Sequence, residues 1–281
     1  MVARWVYWNT GIRPLADRLG VKPKKFGISQ PIIVFQVGKV GSTSMYASLR
    51  RLKLDVPVYH QHFLRNLEML EMWSQQTLDD PSAELKMLDN SRELNAMLAR
   101  KHPPRFNIIS LVRAPIPRCI SNFFHYVNVR IPNFDERYKA NQLTGAEVAD
   151  FFVNQYKDDM HDIWFDERIK DVFGLDVYAK GFPKERGYQI FERDNVRLLL
   201  LRMEDLNRCA PDAMRDYLNV SNFHLVRANV AEDKTYGALY KDFMSALRLP
   251  PAYVAAAHDR RYSKHFYTPQ ELAASVAPWV A

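Results

Sequence analysis

Cysteine is scarce in this sequence, with only Cys119 and Cys209 among 281 residues. The two lie far apart and form no C-x-x-C unit, which leaves too few thiols for a disulfide framework or a zinc site. Such sparing use of cysteine is typical of a reducing compartment. We therefore expect a cytoplasmic protein.

Long apolar runs are also lacking. No run approaches the roughly 18 residues that a membrane-spanning helix needs. The first residues, 1–10, lack the continuous apolar core of a secretion signal. We expect no transmembrane segment, although Trp5, Tyr7 and Trp8 leave a peripheral membrane contact open.

Blocks of basic charge are missing even though the chain is basic overall. Thirty-nine Lys and Arg against 32 Asp and Glu give a net charge of +7 and a pI near 9.3. This balance suits a polyanionic cofactor and an acidic acceptor. The basic residues are dispersed, and no helix-turn-helix, zinc-finger or ribonucleoprotein signature accompanies them, so we expect no nucleic-acid partner.

Internal repeats and low-complexity tracts are absent as well. A chain of 281 residues with 47% hydrophobic content suffices for one large α/β domain. We predict a single domain with an N-terminal extension over 1–30, a cofactor-binding core over 31–206 and a helical part over 207–281.

The segment 31–50 predicts a buried strand, a turn and an amphipathic helix. Its apolar run at 32–37 is typical of a strand that is covered on both faces. In the turn, the backbone N–H groups of residues 41–44 precede the first helical hydrogen bonds and point at whatever lies above them. The helix dipole and Lys39 then favour a bound phosphate or sulfate.

This turn differs from the loop of nucleotide triphosphatases, G-x-x-x-x-G-K-[ST]. Lys39 precedes Gly41 instead of following a glycine, Val40 comes next, and the hydroxyls follow at 42–44. A tight strand-to-helix turn with an exposed lysine is the alternative interpretation.

A second strand, at 105–112, ends in Arg113. In an open α/β sheet, ligands collect at the carboxyl ends of the strands, so Arg113 and Lys39 should face one crevice. The planar guanidinium suits a phosphate, and Pro115 and Pro117 stiffen the turn that directs it. Ser121 lies about two helical turns further on. A surface salt bridge and an ordinary helix hydroxyl are the alternatives.

Together, the two segments resemble the cofactor loops of sulfotransferases that use 3′-phosphoadenosine 5′-phosphosulfate (PAPS) and release 3′-phosphoadenosine 5′-phosphate (PAP). Lys-Val-Gly-Ser-Thr at 39–43 is similar to their 5′-phosphosulfate loop, and Arg-Ala-Pro-Ile-Pro-Arg-Cys-Ile-Ser at 113–121 to their 3′-phosphate segment. The resemblance implies PAPS as cofactor, no required metal, and cofactor contacts from Lys39, Val40, Gly41, Ser42, Thr43, Ser44, Arg113 and Ser121.

Two histidines end the next predicted strand, in Tyr-His-Gln-His at 59–62. Residues two apart on a strand share a face, and a histidine near its ordinary pKa can accept a proton from a sugar hydroxyl. The sequence resembles the catalytic segment of uronyl 2-O-sulfotransferases, which implies His62 or His60 as the base, although in that family the pair lies further from the lysine loop. A metal pair, surface histidines, and Glu167 as base remain open.

The remainder predicts helices over 64–101 and 144–173, then a hairpin and a buried strand at 196–201. The stretch from Asp-Val-Tyr at 176–178 through Arg-Met-Glu-Asp-Leu at 202–206 resembles bacterial proteins assigned to capsular polysaccharide synthesis. In sulfotransferases a late basic segment closes over the 3′-phosphate, and the resemblance implies Lys264, with Arg260 and Tyr267, in that place. A surface helix cap explains these residues equally well.

We therefore expect a three-layer, P-loop-like α/β sulfotransferase fold with a central, mostly parallel sheet of four or five strands and a helix-rich C-terminal half. The resemblance implies transfer of a sulfuryl group from PAPS to a hydroxyl of a carbohydrate, glycolipid or small molecule, in a soluble bacterial protein. An ATP-dependent small-molecule kinase and a noncatalytic polyanion-binding protein are the two alternatives.

Overall fold

The computed structural model describes residues 30–64, 82–226 and 236–280. The predicted N-terminal extension with Trp5, Tyr7 and Trp8, and the first part of the helical region expected at 64–101, lie outside these ranges.

A five-stranded sheet forms the centre of the molecule, in the order β2-β1-β3-β5-β4. The first four of these strands pair in parallel, and β4 runs antiparallel to β5 at the edge. This confirms the expected mostly parallel sheet. The strands are β1 Ile32–Phe35, β2 Val58–Gln61, β3 Phe106–Val112, β4 Tyr188–Arg193 and β5 Val196–Arg202.

Helices supply the rest of the described structure. The C-terminal half is helix-rich, as expected, and two irregular turns interrupt the helices: a π-helical turn at Phe165–Lys170 and a 3₁₀ turn at Met203–Asp205. The helices are α1 Ser42–Arg51, α2 Ser82–Leu98, α3 Pro115–His125, α4 Val127–Arg130, α5 Phe134–Lys139, α6 Gly145–Asn154, α7 Met160–Trp164, α8 Asp171–Phe173, α9 Leu206–Leu218, α10 Gly237–Ala246, α11 Pro251–His258, α12 Arg261–Phe266 and α13 Pro269–Val276.

The two faces of the sheet are covered by different segments. Side chains alternate along a strand, so Phe35 and its neighbour Val34 point to opposite faces. Phe35 packs on Trp164, with ring centroids 5.0 Å apart. On the other face His60, the sheet partner of Val34, stacks on Tyr46 of α1. Helices on both faces are consistent with a three-layer α/β fold.

A second hydrophobic core lies beside the sheet. It is formed by α3, α6, α10 and the end of α13, and it is built around buried aromatic rings such as Phe123, Phe152 and Phe243. Ala114, the residue before α3, belongs to the sheet core, whereas the helix itself packs into this second core from Ile116 onward. The strand-to-helix junction at 112–115 thus lies where the two cores meet.

Candidate functional site

The turn after β1 has an unusual backbone. Lys39 (φ 71°) and Gly41 (φ 85°) both adopt the left-handed region. Glycine takes this conformation freely, whereas it costs a lysine about 1–2 kcal/mol. Strained non-glycine residues of this kind concentrate at binding and catalytic sites, where the surrounding structure maintains them.

This turn leads directly into α1. Gly41 is the N-cap residue of α1 and has no side chain that could cap the first turn. The first amides of a helix have no acceptor within the helix, and the dipole makes that end positive. Val40 is fully buried, so it can offer a ligand only its backbone. Among the described atoms, a Cβ added at Gly38 would meet none within 4 Å, so this side of the turn is open.

Arg113 comes directly after β3, the strand next to β1. Its Nη1 donates a hydrogen bond of 3.1 Å to the backbone carbonyl of Lys39. The two segments that are 74 residues apart in sequence are therefore in contact at the carboxyl ends of neighbouring parallel strands. The sequence-based expectation that Lys39 and Arg113 share one crevice agrees with this position.

Burial lowers the pKa of Arg113, and the carboxylate of Glu204 opposes this effect. Tyr240 and Tyr267 also lie close enough to affect the guanidinium. An arginine keeps its charge in proteins because its ordinary pKa is above 12. Arg113 is thus a fixed positive charge in partly water-excluded surroundings, where an anion is attracted more strongly than in water.

The two histidines are placed differently. His62 Nδ1 lies 2.8 Å from the carbonyl oxygen of Gln36. A carbonyl only accepts, so Nδ1 carries the hydrogen, and a neutral ring then has its lone pair on Nε2. Burial lowers the pKa of His62; the bond to Gln36 opposes this and the positive charge of Lys39 adds to it. His62 is therefore neutral near pH 7 and close to Lys39.

His60 contacts the first helical turn instead. Its Nε2 lies 3.0 Å from the hydroxyl oxygen of Ser42, and its ring stacks on Tyr46 at 5.3 Å. Burial, with His62 nearby, lowers the pKa of His60 to about 3. Its Nε2 is thus occupied by the anion turn, which leaves His62 as the histidine whose Nε2 suits an exchangeable proton.

Comparison with known proteins gives one finding. Residues 143–268 are similar to the family NKWYS, described as "Putative capsular polysaccharide synthesis protein". No curated protein and no solved structure matches the chain. The matched segment is somewhat less than half of the chain, and it begins after both Lys39 and Arg113.

The segment that is similar to the capsular polysaccharide family nevertheless reaches the site. Glu204, within it, accepts a 2.8 Å hydrogen bond from the backbone N–H of Ala114 and a 3.0 Å bond from the Tyr267 hydroxyl. Tyr262 bonds to the backbone of Arg113. The family match and the two predicted anion loops therefore belong to one continuous arrangement of residues.

Three other predicted residues, Ser121, Lys264 and Glu167, lie on helical segments. Ser121 is half-buried on α3, which begins at Pro115. Lys264 is exposed on α12, with its ammonium 2.6 Å from a carboxylate oxygen of Asp259. Glu167 is exposed in the π-helical turn, with its carboxylate 3.8 Å from Arg168. Each of these two side chains thus lies next to an oppositely charged neighbour at the surface.

Two other properties concern metal and membrane. Within the described ranges, no group of three or more His, Cys, Asp or Glu is arranged to hold a metal ion. Among the helices that the structure describes, none is both long enough and apolar enough to cross a bilayer.

Some residues of the site gave no signal in the sequence. Tyr262 stands 149 residues after Arg113, and nothing local indicated that its hydroxyl would reach the strand end. The carbonyl of Gln36 is a backbone group, which no side-chain pattern predicts. Glu204 was marked only by its place in Arg-Met-Glu-Asp-Leu after a buried strand.

Proposed function

We propose that this chain is a PAPS-dependent sulfotransferase that sulfates a hydroxyl of a carbohydrate or related acceptor. The observation that carries the proposal is the hydrogen bond from Arg113 to the Lys39 carbonyl. It places two segments that resemble the two ends of one cofactor site side by side, at the edge of a parallel sheet where ligands bind.

The residues present fit the anionic groups of PAPS. The amides of residues 40–44, at the dipole-positive end of α1, suit the 5′-phosphate. Arg113, with Ser121 on the following helix, would hold the 3′-phosphate through its planar fork of donors. When bound, PAPS supplies the sulfuryl group. The left-handed backbone of Lys39 and Gly41 keeps the turn in the required shape before any ligand arrives.

Lys39 and His62 would perform the chemistry. His62 Nε2 would accept the proton of the acceptor hydroxyl as the sulfuryl group passes to that oxygen and PAP is released, while Nδ1–H on the Gln36 carbonyl fixes the ring. The Lys39 ammonium would supply positive charge to the departing PAP as it gains negative charge. His60 would hold Ser42 of the anion turn in place.

The acceptor class follows from the family similarity and the charge. A segment similar to capsular polysaccharide synthesis proteins favours a saccharide hydroxyl. The net charge of +7 favours an acceptor that is itself acidic.

A calorimetric titration with PAP, AMP and ATP–Mg²⁺ tests the proposal. We expect saturable binding of PAP, and weaker binding of AMP because it lacks the 3′-phosphate that Arg113 would hold. Binding of ATP–Mg²⁺ but not PAP would support a kinase instead. Absence of saturable binding by all three would support a noncatalytic polyanion-binding protein.

A further inference from the structure

The turn that carries Arg113 is held by a tyrosine from the far end of the chain. β3 ends at Val112, so the sheet does not pair the backbone of Arg113. The Tyr262 hydroxyl does so instead: it accepts a 3.1 Å bond from the Arg113 N–H and donates a 2.9 Å bond to the Arg113 carbonyl. One hydroxyl thus satisfies both backbone groups of the residue.

Glu204 holds the next residue. One carboxylate oxygen accepts from the backbone N–H of Ala114, and the other accepts from the Tyr267 hydroxyl. The two tyrosines lie five residues apart, at the start and just past the end of α12, so a single short helix supports both contacts. Arg113 and Ala114 are therefore fixed by side chains that come from two other segments.

Helix α12 is itself firmly attached. Tyr262 is 1% exposed, and its ring packs on Phe266 at 5.1 Å. The carbonyl of Phe266 accepts a bond from Arg202 at the end of β5, and the carbonyl of Tyr267 accepts a 2.6 Å bond from Lys184. Burial also raises the pKa of the Tyr262 hydroxyl well above its ordinary value, so it keeps the proton that it donates.

We infer that Tyr262 and Glu204 are positioning residues, which fix the Arg113–Ala114 backbone so that the guanidinium stays on the Lys39 carbonyl. Neither residue needs to touch the reacting atoms. That Tyr262 and Glu204 fix the position of Arg113 does not depend on the proposed function. The expected change in nucleotide affinity rests on the proposed function. The contacts are backbone contacts, so a change at Tyr262 acts on Arg113 through the turn.

Tyr262→Phe is the direct test because it removes the hydroxyl and keeps the ring. Tyr178→Phe is the matched control: Tyr178 belongs to the same aromatic cluster, 5.9 Å from Phe266, and its hydroxyl has no partner in the described structure. The first readout is the side-chain ¹⁵N NMR signal of Arg113 in nucleotide-free protein, assigned as the signal that Arg113→Lys loses. We expect it to shift or broaden in Tyr262→Phe and to stay unchanged in Tyr178→Phe.

The second readout is nucleotide affinity. Tyr262→Phe should weaken PAP binding about tenfold, the effect of losing roughly one net hydrogen bond to a positioned group, and leave AMP binding nearly unchanged. In an Arg113→Ala background, Tyr262→Phe should have no further effect on PAP, because the residue acts only through Arg113. Should Tyr262→Phe fail to fold, Glu204→Met removes both acceptor oxygens, keeps a side chain of similar length, and tests the second contact with the same two readouts.

The outcomes separate the two ideas. An unchanged Arg113 signal in both Tyr262→Phe and Glu204→Met would overturn the positioning role. An equal loss of PAP and AMP affinity with that signal unchanged would likewise assign Tyr262 to general stability. If the Arg113 signal shifts in Tyr262→Phe while the wild-type protein does not bind PAP, the positioning role stands and the sulfotransferase assignment fails.

Discussion

The two sides of the site are built in different ways. On one side, Lys39 and His62 follow neighbouring strands and are set by local backbone: a left-handed φ at Lys39, and the Gln36 carbonyl for His62. On the other side, the Arg113 turn is held by side chains that lie 90 and 149 residues further along the chain. The proposed reacting groups are thus set by backbone at the ends of neighbouring strands. The proposed cofactor-holding group instead depends on side chains from distant segments.

From this difference we expect substitutions on the two sides to affect different kinetic quantities. Changes on the Lys39 and His62 side should lower turnover and leave cofactor affinity largely intact. Changes on the Arg113 side should lower affinity first, because they disturb a group that binds without taking part in proton transfer.

Replacing the base should have the largest effect. His62→Ala should lower turnover by about two to four powers of ten, the usual contribution of a positioned general base. His60→Ala should lower it less, because His60 Nε2 is engaged with Ser42. Turnover measured with saturating PAPS and acceptor gives both values; a larger loss in His60→Ala would exchange the two roles.

The pH dependence of the rate tests the role of His62 as the base in a second way. Since burial holds the pKa of His62 in the folded protein below its ordinary 6.5, the ring stays neutral and basic as the pH falls to that value. The rate should therefore fall only below pH 6.5, on protonation of His62, and the His62→Ala variant should lose this acid limb.

Loss of the lysine charge should follow. Lys39→Ala should lower turnover by roughly two to three powers of ten, in the range of a lost charge-stabilising donor, with a smaller change in PAP affinity. Lys86→Ala, which removes an exposed lysine from α2, is the matched control and should leave turnover unchanged. Unchanged turnover in Lys39→Ala would contradict the proposed mechanism.

On the other side of the site, Arg113→Ala should weaken PAP binding about ten- to a hundredfold, as expected when a charged hydrogen-bonding group is lost, and AMP binding less. Calorimetry with both nucleotides checks this. Equal affinity of wild-type protein for PAP and AMP would remove the assignment of Arg113 to the 3′-phosphate.

The smallest expected effect tests the backbone of the anion turn. Gly41→Ala places a Cβ at φ 85°, 3.4 Å from Met203 Cγ, and should lower the free energy of unfolding by about 1–2 kcal/mol. Gly38→Ala is the matched control: it has open space for a methyl group and should leave stability unchanged. Urea denaturation measures both, and equal loss in the two variants would contradict the role of the left-handed backbone.

The strands, and with them the strand ends that carry Lys39 and Arg113, could be predicted from the sequence. The apolar runs predicted β1, β3 and β5, and those strands are confirmed, because fully covered parallel strands have continuous hydrophobic sequences. The strand ends then placed Lys39 and Arg113 at one edge. The helices expected at 144–173 are confirmed as well.

The remote side could not be predicted. A bond between Tyr262 and Arg113 depends on how α12 packs against β5, which a single sequence does not reveal. Likewise, the placement of Lys264 beside Asp259 on the surface depends on the direction in which a short helix turns. The roles of His62, Arg113, Ser121 and Lys264 stay predictions.

The antiparallel edge strand has a consequence for assembly. β4 is partly solvent-exposed and ends in Glu192 and Arg193, so a strand from another molecule that approached this margin would have to displace water from charged side chains. Charged side chains on an edge strand disfavour the edge-to-edge pairing of sheets. A protein of this fold is thereby protected, at that margin, against growth into fibrils.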